Sequence, residues 1–82
     1  MVNMVNKVNE VIEKLDGCGC FGDDREYLMR RRQWDGLVNQ RHKALLVRNW
    51  VYTALQRADF KVRCEVLLKE VLEELDEFLY LH

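Results

Sequence analysis

The chain has 82 residues, 49% hydrophobic and 33% charged, with a net charge of −1. That balance excludes a disordered tail or a collagen-like repeat and fits a single helical domain over 1–82. No stretch approaches the roughly 20 uncharged apolar residues that cross a bilayer, and Asn, Lys and Glu break up the N-terminal valines, unlike a secretory signal. A soluble cytoplasmic protein with no membrane partner is the expectation.

Proline is absent, so nothing forces a helix to end as proline would. Residues 2–16 place Met4, Val5, Val8, Val11, Ile12 and Leu15 at spacings of three and four, which predicts a helix with one apolar stripe. Valine is a mediocre helix former, so packing must hold this segment together. It should stop near Asp16-Gly17, with Gly17 in the left-handed conformation that ends many helices.

Residues 16–24 hold three glycines within six positions and read as a loop. Its Gly17-Cys18-Gly19-Cys20-Phe21-Gly22 run matches the letters of a dinucleotide-binding fingerprint. That motif needs a preceding strand, and here a helix precedes it. A calcium loop starting at Asp16 fails as well, with Cys18 and Cys20 at ligand positions and Tyr27 where glutamate belongs. Asp23 or Asp24 should cap the next helix, and Asp23 with Glu26 has capping-box spacing.

From Asp24 to Arg57 the pattern is helical, with Tyr27, Trp34, Val38, Leu45 and Tyr52 along one stripe. Gly36 is the weak point, costing a helix interior about 1 kcal/mol relative to alanine. The period resumes in phase beyond it, which favours one unbroken rod of roughly 50 Å over two shorter helices. Within this segment residues 44–55 are apolar almost all round, broken only by Arg48, Asn49 and Thr53. Such a helix needs cover on every side.

Asp59 is placed to cap a last helix reaching about Leu81. Phe60, Cys64, Leu67, Leu68, Val71, Leu72, Leu75, Phe78 and Leu79 line one face of it, and acidic residues line the other. The fold expected is therefore all-α: a three-helix up-down bundle with a long central helix, or four helices if the chain breaks near Gly36. A first helix of about 22 Å cannot sheathe a 50 Å rod, and a symmetric dimer would cover the rest.

Chemistry-bearing residues are sparse. Serine is absent and Thr53 is the only threonine, so hydroxyl nucleophiles are nearly missing. The carboxylates of the last helix share a solvated face, without the apolar pocket that acid catalysis needs. The three cysteines are expected to be reduced, with Cys64 a buried, inert thiol on its apolar stripe. Cys18 and Cys20 could bind a soft metal with Cys64 and His42 or His82, or switch redox state together. Zinc sites, however, usually show a two-residue gap and a second pair, so no metal or cofactor is expected. His42, between Arg41 and Lys43, reads as a surface histidine.

Charge is segregated: residues 1–24 carry −3, residues 25–63 carry +7 and residues 64–82 carry −5. Two functional readings follow. In the first, the chain is a non-enzymatic interaction protein, a regulator, inhibitor, adaptor or assembly subunit. It docks a protein partner, or a second copy, through Tyr27, Trp34, Leu46, Val47 and Trp50. Core packing is the competing role for Trp50 and Leu46. In the second, Arg30, Arg31, Arg32, Arg41, Lys43 and Arg48 follow a phosphate backbone, with Arg30, Arg41 and Arg48 on one stripe of the unbroken rod. Pairing of these cations with the acidic ends of the same chain is the alternative to nucleic-acid binding.

Overall fold

The computed structural model describes residues 4–22, 24–57 and 60–81. Asp23, Asp59 and His82 lie outside them, as do the side chains of Met4 and Val5. The described residues form four helices: α1 (Met4–Gly17), α2 (Arg25–Gly36), α3 (Gln40–Gln56) and α4 (Val62–Leu81). The fold is all-α, a bundle measuring 35 × 24 × 19 Å.

The favoured unbroken rod is not what forms. Helix α2 ends at Gly36, Leu37 turns extended at φ −84° and ψ 142°, and α3 restarts behind Asn39. Asn39 decides the restart: its side-chain oxygen accepts from the N–H groups of Arg41 and His42, satisfying donors that a new helix leaves open. A 17-residue α3 is about 25 Å long, half the length expected of the rod.

The break also resets rotational phase. The stripe that looked continuous in sequence divides: Tyr27 and Trp34 face the core, whereas Val38, in the link, is 90% exposed. At the other end of α2, Asp24 is the cap, accepting from Glu26 and Tyr27 N–H groups. Gly17 closes α1 without a positive φ. The left-handed positions are Gly19 and Gly22, where the loop turns back toward α2.

Helix α3 is the hub, packing against each of the other three. Val8, Val11, Ile12 and Leu15 of α1 meet Ala44, Val47 and Val51 of α3 and Leu68, Val71 and Leu75 of α4 in one core. The apolar faces read for α1 and α4 are therefore the buried ones. Helix α3 is less fully covered than its sequence demands. Ala44, Val47, Trp50, Val51 and Ala54 are buried and Leu46 and Leu55 partly so, but Leu45 and Tyr52 stay 39% and 51% exposed.

The cysteines correct a further expectation. Cys20 in the glycine loop is disulfide-bonded to Cys64 in the first turn of α4, with Cα atoms 5.8 Å apart, so neither is a reduced thiol. Cys18 keeps the free thiol.

Candidate interaction surface

Of the five residues expected to dock a partner, Tyr27, Trp34, Val47 and Trp50 lie in the core. Their apolar area is already spent on folding, which is the competing role weighed for Trp50. Tyr27 meets Trp50 edge to face, with centroids 5.7 Å apart, and stacks on Phe21 at 4.5 Å. Its hydroxyl donates to Asp16 at the end of α1. Burial, reinforced by that carboxylate, pushes the Tyr27 phenol well above its ordinary range.

Trp34 sits between cations. The Lys43 ammonium lies 4.1 Å and the Arg31 guanidinium 4.8 Å from its ring centroid. Leu46 is the one expected contact residue with surface left. It lines a groove of about 230 Å³ between α2 and α3 with Glu26, Arg30, Asn49, Trp50 and Thr53.

The cations do not form one stripe, because Arg30 belongs to α2 while Arg41 and Arg48 belong to α3. Arg48 Nε reaches Asp76 of α4 at 2.6 Å. Arg31 binds Asp16 at 3.0 Å and also Asp35. Burial alone would lower the Arg31 pKa, but the hydrogen bonds to Asp16 and Asp35 outweigh it and hold it above its usual value. Arg30 donates to Gln33. Arg32 is exposed, as are Arg41 and His42. Lys7 and Lys14 of α1 both approach Glu74 of α4, at 3.9 and 3.3 Å. Much of the charge segregation is thus used inside the bundle, tying α2 to α1, α3 to α4 and α1 to α4.

A different apolar surface stays open. Leu45 and Tyr52, seven residues apart, share the face of α3 that points away from the core. Helix α4 runs antiparallel beside it, so that Leu45, Arg48, Asp76, Leu79 and Tyr80 line one shallow groove. Arg48 also stands over the Tyr52 ring at 5.8 Å. Tyr80 is 92% exposed. Sequence reasoning passed over these residues, placing Leu45 and Tyr52 on one stripe with Tyr27 and Trp34 but taking only the latter two of these as contacts. The signal available was the apolar circumference of 44–55, which exceeds what neighbouring helices can cover.

Among the described residues no group of three or more His, Cys, Asp or Glu side chains converges as a metal site would. In the bridged state Cys20 and Cys64 hold each other's sulfur. No described helix is long and apolar enough to cross a membrane. No protein-family model, curated protein or solved structure matches this chain.

Proposed function

We propose that this protein is a non-enzymatic helical interaction module that docks through the α3–α4 face, and that a second copy of the chain is one partner for that face. The observation that carries the reading is the outward pair Leu45 and Tyr52, continued across the groove by Leu79 and Tyr80. Tyrosine and arginine, here Tyr52, Tyr80 and Arg48, are among the residue types in which interface hot spots are enriched. The patch holds both Arg48 and Asp76, so a two-fold contact can set each cation against the other copy's carboxylate. A role as regulator, inhibitor, adaptor or assembly subunit fits this mode of action.

Sedimentation equilibrium tests the reading. The expected result is a dimer that weakens at least tenfold in Leu45→Glu and Tyr80→Asp and is unchanged in Met29→Glu, a control on the outer face of α2. A strict monomer at millimolar concentration, or equal weakening by all three, overturns it.

Nucleic-acid binding has less support, because Arg31 and Arg48 are engaged with carboxylates. Location is bound up with the bridge. The cytoplasm expected from sequence would hold Cys20 and Cys64 reduced, whereas a lasting Cys20–Cys64 bond belongs to an oxidising compartment. Trapping thiols in intact cells separates the two.

A further inference from the structure

All three cysteines lie where the glycine loop touches the start of α4. The Cys18 thiol donates to the Leu15 carbonyl oxygen at 3.1 Å and accepts from the Cys20 N–H at 3.3 Å. Cys20 Sγ, already bonded to Cys64, lies 3.7 Å from the Cys18 carbonyl oxygen. The free sulfur and the bridged one are thus folded onto the same short stretch of backbone. Between them Gly19 has φ +71°, a turn that brings the flanking residues together and that a side chain would resist. Cys18 is only partly buried.

The far end of the bridge is placed to leave. Cys64 is the third residue of α4, in a first turn whose N–H groups lack intrahelical acceptors and carry positive partial charge. That partial charge offsets part of the cost of releasing a thiolate from a side chain only 3% exposed, and a lower thiol pKa makes a faster leaving group. A second tie survives its departure, because Arg63 Nη1 donates to the Cys18 carbonyl oxygen at 3.1 Å. The loop therefore keeps its place beside α4, with Cys64 within reach for the return.

From this arrangement we propose that Cys18, Cys20 and Cys64 form a thiol–disulfide exchange site. The Cys18 thiol gives its proton to water, and the resulting thiolate attacks Cys20 Sγ. The Cys18–Cys20 bond forms as the Cys20–Cys64 bond breaks. The electron pair of the broken bond leaves on Cys64, which takes a proton from water. One disulfide and one thiol stand on each side, so no oxidant or reductant is consumed. The product bridge closes a ring across a single glycine, and small strained disulfides are the more oxidising and exchange-prone ones. The chain thereby alternates between a bridge that joins the loop covalently to α4 and a local ring that leaves only the Arg63 hydrogen bond between them.

Trypsin separates the outcomes, since Cys18 and Cys20 share the peptide 15–25 while Cys64 begins the peptide 64–69. The full chain, oxidised with glutathione disulfide and freed of it, is alkylated at pH 8 over a time course and digested without reductant. Exchange yields peptide 64–69 labelled on Cys64, together with peptide 15–25 two hydrogens lighter than its dithiol form. The expected result is at least tenfold more Cys64 label in the native chain than in Cys18→Ser, which keeps the Cys20–Cys64 bridge and lacks the attacking sulfur. Label confined to Cys18, or equal Cys64 label in both proteins, overturns the proposal. Three labelled cysteines in the oxidised chain overturn it too.

Discussion

Asp24 caps α2 with one carboxylate oxygen and holds Arg57, at the end of α3, with the other, at 2.7 Å. One side chain therefore fixes both where α2 begins and where it lies against α3. The hydrogen bond from Arg57 keeps the Asp24 carboxyl below its ordinary range. Burial opposes this, and the N–H groups of Tyr27 and Glu26 reinforce it.

Replacing this carboxylate separates its two roles. Asp24→Ala loses the cap and should cost about 1–2 kcal/mol, whereas Asp24→Asn keeps a capping oxygen and should cost less. Because the folded-state pKa is depressed, the Asp24 contribution is present above the ordinary value of 3.8 and is lost as pH falls through the lower folded value. Urea titrations at pH 7 and in the acid range below 3.8 should show a shallower acid loss in Asp24→Asn than in the parent chain.

Tyr27 works in the opposite sense. Its phenol is held neutral by burial and by the hydrogen bond to Asp16, so its contribution is present below pH 10 and is lost as pH rises toward the folded value. Tyr27→Phe should cost about 1 kcal/mol at pH 8. The gap between the two proteins should shrink above pH 10, read by chemical denaturation at both pH values.

The bridge spans 44 residues, long enough for its removal to matter. Cys64→Ser should lower stability by about 2–4 kcal/mol under oxidising conditions. Adding reductant should bring the parent chain down to the variant. A denaturation midpoint indifferent to reductant would contradict the prediction.

The link between α2 and α3 allows a paired test. Space is open around Gly36 and its φ is not positive, so Gly36→Ala should be neutral or stabilise by up to about 1 kcal/mol. Asn39→Ala, which removes the cap of α3, should cost about 1 kcal/mol. Thermal melts of the two variants should move in opposite directions, or only the second should move.

Helices α1 and α4 were legible because their apolar residues keep to one stripe, and the structure buries Val8, Val11, Ile12, Leu15, Leu68, Val71, Leu75 and Phe78 as that stripe requires. The central segment was harder. Its period does resume in phase after Gly36, yet phase in a sequence carries no information about a three-residue link that swings the chain. Asn39 was the readable signal for a new helix start. The interaction surface misled for a related reason: when a helix is apolar all round, periodicity cannot say which side its neighbours take. Tyr27 and Trp50 went inside and Leu45 and Tyr52 stayed out. The bridge was illegible because pairing depends on which loop meets which helix, and an odd number of cysteines leaves the choice open.

Helix α2 buries only Tyr27 and Trp34, where α3 buries five residues. Two rings and a few ionic ties hold it, between a glycine loop on one side and a short link on the other. On that comparison α2 is expected to open locally before α3 does. Its amides should trade hydrogen for deuterium well before those of α3, making this one helix the door of the molecule.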